Sequence, residues 1–276
     1  MRIFTVDSFT DRPFRGNPAA VCLLDDTVPD EWMQAVAAEM RHSETAFVLR
    51  EGGGPRSLRW FTPAVEVALC GHATLATAHV LYSLGESGRL EFATKSGVLT
   101  TEQAGDGLIA MDFPAKPATP GTPPDGLVEA LGVTPMWTGR SEFDLLVEVG
   151  SVAEVRSVNP DMERLTGVEA RGVIVTASGQ GTSADYVSRF FAPRAGVPED
   201  PVTGSAHCVL APYWSARLGR DALVGEQVSE RGGTVRTTLR PAPPTTPGST
   251  LGSTPQGDRV ELAGHAVTIW SGELEV

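Results

Sequence analysis

Through the first 115 residues, apolar and polar positions mostly fall in short runs that suit strands rather than helices. The stretches 3–9, 19–24, 45–49, 58–61, 90–93, 97–101 and 108–112 each predict a strand. Two segments break that pattern with a 3.6-residue period. Over 30–41, Trp32, Met33, Val36, Ala37 and Met40 share one face, as in an amphipathic helix. Over 72–84, Ala73, Leu75, Ala76, Ala78, Val80 and Leu81 leave almost no polar side, so this helix should be wrapped by sheet.

The second half repeats the order. The run 145–149 stands where 3–9 stood, Asn159-Pro160 offers an N-cap and a first-turn proline to a short helix, and 173–176 matches the strand at 46–49. Residues 205–218 then match the central helix, with Pro212 predicting a kink because it removes a backbone donor. The letters repeat as well. Arg59-Trp60-Phe61-Thr62-Pro63 aligns with Arg189-Phe190-Phe191-Ala192-Pro193 at an offset of 130, and Cys70-Gly71-His72-Ala73 with Thr203-Gly204-Ser205-Ala206 at 133. A repeat of half the chain is too long for a solenoid unit, so it predicts two similar lobes facing one cleft. The lobes are 1–115 and 116–276, with the last strand free to return to the first lobe. The Pro-rich stretch 114–126 reads as the linker, and a second one, 241–257, as a long exposed hairpin loop within the second lobe.

Charge narrows the partners. With 22 Lys and Arg against 34 Asp and Glu, a formal charge of -12 disfavours a nucleic acid or an anionic membrane and leaves a small molecule. No run of about 18 apolar residues occurs, and Arg2 and Asp7 interrupt any secretory core, so a soluble cytoplasmic protein is expected. The 3 cysteines, Cys22, Cys70 and Cys208, fit neither a disulfide framework nor a four-ligand zinc site. There is no G-x-x-x-x-G-K-[ST] and no G-x-G-x-x-G, and Gly204-Ser205-Ala206-His207 is not a nucleophile elbow. The 5 histidines, at 42, 72, 79, 207 and 265, lack metal-ligand spacing backed by carboxylates. Neither a metal nor a cofactor is expected.

Both central helices open on a small-residue turn. Backbone N–H groups at a helix start bind anions, and glycine lets a ligand come close, so Gly71, His72, Ala73 and Gly204, Ser205, Ala206 are candidates to hold a carboxylate. Alternatively, the glycines only permit tight turns. His72 is either a proton carrier, neutral because a helix start disfavours its cation, or a satisfied structural donor. Cys70 is either a thiolate favoured by the same helix start or a small buried side chain. Glu44, where a helix gives way to a strand beside Ala46 and Phe47, is either a desolvated carboxylate with a raised pKa or a strand-end residue in water. Asp200, in the insertion that only the second copy has, is either a partner for a substrate amine or hydroxyl or a loop carboxylate.

Several longer motifs resemble a known family. These are Asp7-Ser8-Phe9, Phe14-Arg15-Gly16-Asn17-Pro18-Ala19-Ala20-Val21, Ser43-Glu44-Thr45-Ala46-Phe47-Val48 and Cys70-Gly71-His72-Ala73-Thr74, then Glu199-Asp200-Pro201-Val202-Thr203-Gly204-Ser205-Ala206-His207 and Gln227-Val228-Ser229-Glu230-Arg231-Gly232-Gly233. Together they resemble the phenazine-biosynthesis PhzF-like family, within the diaminopimelate epimerase fold. The resemblance implies an α+β chain of two lobes, each a mostly antiparallel sheet or barrel around a central helix. It also implies an active site between the lobes, no cofactor, and commonly a homodimer. Glu44 matches the family's general acid/base, and His72, Asp200 and Ser205 match the residues that position the substrate and assist proton transfer. Asn17 lines the cleft by family match alone. The defining member isomerises trans-2,3-dihydro-3-hydroxyanthranilate by a proton shift.

Racemases of this fold use two facing cysteines, and here Cys70 faces Thr203, which cannot serve as a thiol. The expected activity is therefore a cofactor-independent, proton-shifting isomerase of a small, dihydro-hydroxyanthranilate-like carboxylate. The competing readings are an amino-acid or hydroxy-acid epimerase, a hydrolase or transferase using Cys70 and His72, and a non-catalytic binder of small acids.

Overall fold

The structure is a computed structural model that describes residues 1–49, 54–241 and 257–275. Its strands follow one program twice. In the first lobe Arg2–Ser8 pairs antiparallel with Asn17–Leu24, which pairs parallel with Glu44–Leu49; that strand pairs antiparallel with Arg56–Phe61, and Arg56–Phe61 parallel with Arg89–Thr94. Gly97–Gln103 and Ile109–Pro114 complete the series, both antiparallel. In the second lobe Trp137–Arg140, Asp144–Glu148, Gly172–Ser178, Tyr186–Ala192, Ala222–Gln227, Gly233–Arg240 and Arg259–Gly264 repeat that sequence of pairings in the same order.

The final strands of the two series, Ile109–Pro114 and Arg259–Gly264, pair with each other and join the lobes edge to edge. Past the last strand of each series the chain crosses to the other lobe. Ala266–Glu273 pairs with Arg2–Ser8 of the first lobe, and Thr119–Pro120 pairs with Trp137–Arg140 of the second. The stretch 114–126, expected as a linker, thus supplies a short strand to the lobe that follows it. Residues 242–256, most of the expected hairpin loop, lie outside the described residues.

Among the described residues six α-helices connect the strands: α1 (Asp30–Met40), α2 (Gly71–Ser83), α3 (Leu127–Leu131), α4 (Val152–Ser157), α5 (Met162–Thr166) and α6 (Gly204–Leu218). α2 is buried on all sides from His72 to Ala78, because the first lobe's sheet curls round it and supplies Phe4, Val6, Trp60, Phe92 and Met111. α6 is enclosed likewise against Leu146, Ile174 and Tyr186. Smaller helices cover the outer faces, α1 against Ala20, Cys22 and Phe47, and α3 to α5 against Val147, Val175 and Phe191.

Two sequence expectations shift. The run expected at 145–149 is the strand Asp144–Glu148, and it stands where Asn17–Leu24 stands rather than where the first strand does. Like Asn17–Leu24, it is the second arm of a hairpin and the parallel neighbour of the next strand. The crossover helix after it is two short helices capped by Ser151 and Asp161, whose side chains accept from Glu154 N and Arg164 N, and Asn159 caps neither. The helix expected across Pro212 is present, as α6 runs unbroken to Leu218 and stops where Gly219 turns left-handed and donates to Ser215 O.

Candidate active site

The two central helices meet head to head. A Cβ placed on Gly71 would lie 3.5 Å from Gly204 Cα, and one on Gly204 3.5 Å from Gly71 Cα. At that separation an added Cβ would make ordinary van der Waals contact, so the two first turns lie directly against each other. Neither helix carries a side-chain cap or an acidic residue in its first turn, so both starts keep their positive character. Ala206 N–H already donates to Thr203 O at 3.1 Å.

Glu44 opens the strand after α1, once Arg41 at φ 56 has turned the chain out of the helix. Its side chain is 18% exposed, and its Oε2 lies 3.3 Å from His72 Nε2 in the first turn of α2. Burial, reinforced by the charge of Asp200, lifts the Glu44 carboxyl from 4.5 to about 8, while a Cys70 hydrogen bond opposes the lift. Near neutrality this group can both accept and return a proton.

Asn17 ties the lobes together. Its Nδ2 lies 2.7 Å from Asp200 Oδ1, 2.9 Å from Val202 O and 3.3 Å from His72 Nδ1. The two oxygen acceptors, Asp200 Oδ1 and Val202 O, identify this atom as the nitrogen, and Oδ1 is buried without a partner among the described residues. Thr203 Oγ1 donates to the other Asp200 oxygen at 2.5 Å. Burial pushes the Asp200 carboxyl up to about 6, and the bonds from Thr203 and Asn17 restrain it there. Gln227 locks this corner, accepting from Thr203 N at 2.9 Å and donating to Asp200 O at 2.6 Å.

His72 is enclosed, and desolvation takes its pKa down to about 3, so the ring is neutral over the working range. Its Nδ1 faces Asn17 Nδ2 and, at 3.5 Å, Cys70 Sγ. With Nδ1 accepting, Nε2 carries the proton toward Glu44, yet makes no aligned hydrogen bond in the described residues.

Cys70 is fully buried, and desolvation together with the Glu44 charge holds its thiol well above 9. It stays protonated, which removes the nucleophile that a hydrolase or transferase would need.

Distance alone would let one divalent ion join Glu44, Cys70 and His72, whose donor atoms lie within 4.8 Å of each other. The fold thus brings His72 and a carboxylate together although they are far apart in sequence. Direction argues against an ion. Cys70 sits at Nδ1 and Glu44 at Nε2, and a single ion uses one ring nitrogen and cannot stand between both partners. The arrangement suits proton transfer instead.

The structure therefore gathers Asn17, Glu44, His72 and Asp200 at the junction where Gly71 meets Gly204. Ser205 belongs to a second group, since its hydroxyl accepts from Arg171 Nη2 at 3.0 Å. Ala73 and Ala206 contribute no side-chain chemistry, only their places in the two first turns. Sequence reasoning assigned no role to Gln227 or Arg171. Gln227 was visible inside a quoted motif, whereas Arg171 carried no signal except that it precedes the counterpart of Glu44.

Register identifies that counterpart. Thr45 pairs with Phe61 as Val173 pairs with Phe191, so Gly172 occupies the place of Glu44. A Cβ at Gly172 would lie 2.2 Å from the Phe190 ring. The second lobe has filled this position with an aromatic ring and holds no carboxylate there.

Comparison with known proteins agrees with this architecture. A protein from Halalkalibacterium halodurans named an uncharacterized isomerase is 44% identical over 99% of this chain and 97% of its own. A crystal structure of a phenazine biosynthesis protein of the PhzF family from Enterococcus faecalis superposes with a TM-score of 0.88 at 36% identity, covering 100% of this chain and 99% of that one. A probable proline racemase from Agrobacterium radiobacter shares the fold alone, with a TM-score of 0.62 at 11% identity over 100% of this chain and 93% of its own. No helix among the described residues is long and apolar enough to cross a membrane. With the family model for phenazine biosynthesis-like proteins matching residues 6–272, and relatives of the same family aligned end to end, the chain belongs to the PhzC-PhzF family.

Proposed function

We propose that this protein is an isomerase that moves a proton on a small, dihydro-hydroxyanthranilate-like carboxylate with no metal or cofactor, Glu44 being the general acid/base. One observation carries this reading: a single carboxyl with a pKa near 8 stands 3.3 Å from a neutral imidazole, beside two uncapped helix starts. The ionised Glu44 takes a proton from carbon. His72 Nε2–H and the first N–H groups of α2 and α6 stabilise the negative charge that develops, and Glu44 then returns the proton at another carbon. Asp200, fixed by Asn17, Thr203 and Gln227, accepts from the substrate's amine or hydroxyl.

A single base that collects and redelivers on one face suits a shift along an allylic system better than inversion. Thr203, at the position that mirrors Cys70, spends its hydroxyl on Asp200 and offers no second acid.

The test is exchange of substrate C–H for deuterium in heavy water across a panel of cyclic unsaturated carboxylates, followed by NMR. Exchange by the wild type that is lost in Glu44→Gln, with ligand binding kept, is the expected result. No exchange with any member of the panel favours the non-catalytic binder.

The pH profile gives a sharper check. Because Glu44 must be ionised to act, kcat/KM is expected to rise through about pH 8. Asp200→Asn removes a charge that raises the Glu44 pKa, so the rising limb moves to lower pH. Cys70→Ala removes a hydrogen bond that lowers it, so the limb moves to higher pH while most of the activity remains. Limbs that stay put in both variants would show that some other group sets the profile.

A further inference from the structure

In a chain with 34 acidic and 22 basic residues, one guanidinium is built into the wall of the cleft. Arg171 Nε and Nη2 donate to the two carboxylate oxygens of Asp144 at 2.8 and 2.5 Å, and Nη2 also donates to Ser205 Oγ at 3.0 Å. Its Cζ lies 5.3 Å from the centroid of the Phe143 ring and 5.9 Å from that of Phe190. The Asp144 side chain is 2% exposed, whereas Arg171 keeps 41%. One edge of the fork is thus clamped by a buried carboxylate and two rings. Among the described residues no group accepts from the Nη1 end.

The placement mirrors the catalytic pair. His72 and Ser205 are equivalent residues of the two helix starts; His72 faces Glu44, and Ser205 faces Arg171, the residue before the Gly172 that replaces Glu44. Where the first lobe presents a base, the second presents a cation. Its field also reaches Asp200, where it opposes the effect of burial.

We propose that Arg171 binds the substrate's carboxylate, with Ser205 Oγ and the first N–H groups of α6 completing the anion pocket. This rests on the reading that the substrate is a small carboxylate, and it adds which lobe holds that group. A guanidinium matches a carboxylate through paired, directed N–H donors. Asp144 offsets the charge of Arg171 at long range but fixes the direction of its open edge, so little side-chain freedom is lost when an anion docks.

The test compares anthranilate with anthranilamide, which keeps the ring and amine but lacks the charge. Both are titrated calorimetrically at pH 7.5 against wild type and Arg171→Gln. The wild type is expected to prefer the acid at least tenfold, and Arg171→Gln to bring the ratio close to one, with Arg171→Lys in between. Arg171→Gln leaves Asp144 buried and unpaired. The double variant Asp144→Asn with Arg171→Gln therefore accompanies it, and near-UV circular dichroism checks that each is folded. An acid preference that survives in the folded double variant overturns the assignment, as does a wild type that binds the amide equally well or binds neither compound. None of those outcomes touches the Glu44 reading, which stands or falls on C–H exchange.

Discussion

Glu44→Gln is expected to cut C–H exchange by roughly 10²- to 10⁴-fold, the usual contribution of a positioned acid/base, while making the protein more stable at alkaline pH. The second effect follows from the first group's burial. The Glu44 carboxyl ionises near 4.5 in the unfolded chain and near 8 in the folded one, chiefly because desolvation penalises the anion. Below pH 4.5 both states keep the proton and the group costs nothing. Between 4.5 and 8 only the unfolded state releases it, so folding stability falls as pH rises, and above 8 the deficit is complete. At about 1.4 kcal/mol per tenfold change in proton affinity the deficit is on the order of 3–5 kcal/mol, toward the lower figure because the side chain retains some water contact.

Glutamine has no proton to lose and carries no such penalty. Thermal melts at pH 4 and pH 9 are the measurement: wild type and variant should melt alike at pH 4, and the variant several degrees higher at pH 9. Equal midpoints at pH 9 would mean that the carboxylate is not destabilised in the fold, and the rising limb near pH 8 would lose its explanation. Stability given up at one residue is a common signature of a site kept for chemistry.

The asymmetry between the lobes explains which parts of the protein are legible in the sequence. Strands with alternating burial, such as Arg89–Thr94 and Gly97–Gln103, announce themselves because period 2 is forced wherever one face meets the core. The all-apolar helices α2 and α6 do so as well, since nothing but an enclosing sheet can bury them. Trp137–Arg140 escapes notice. It is four residues long, and Gly139 lies under the Trp137 ring, where a Cβ would come within 2.3 Å. Missing that strand displaced the second lobe's hairpin by one element.

In the candidate site, Glu44, His72 and Asp200 stand out because helix starts and strand entries have a local signature, and the family motifs surround them. Asn17 and Gln227 have no such local signature and show only as members of family motifs, and Arg171 has neither. Their partners lie 183, 24 and 34 residues away, and what brings them within reach is the meeting of the lobes for Asn17 and the folding of the second lobe for Gln227 and Arg171. Local patterning identifies residues that carry chemistry; the residues that aim them depend on topology.

Gly16→Ala is expected to be the most damaging small substitution near the site, costing roughly 2–5 kcal/mol. Gly16 has φ +66, a left-handed conformation in which an L side chain costs about 1–2 kcal/mol. Its added Cβ would also fall 2.1 Å from Ser8 O, a backbone atom that a rotamer change cannot move, and overpacking of that kind adds about 1–3 kcal/mol. The turn cannot easily shift, because Gly16 N–H donates to Gly232 O at 2.8 Å and Gly16 O accepts from Arg231 Nε at 2.8 Å. Arg231 in turn grips the buried Asp7 at 2.7 Å. Any movement that relieves the clash therefore drags Asn17, the next residue, away from Asp200 and His72, and exchange should fall along with stability. Gly107→Ala is the control, with φ +85 and no atom within 4 Å of the new Cβ, so it tests conformation without contact. Urea denaturation of both variants separates the two effects. If Gly16→Ala loses no more stability than Gly107→Ala, the turn is looser than its contacts imply, and the link from the lobe-spanning loop to Asn17 fails.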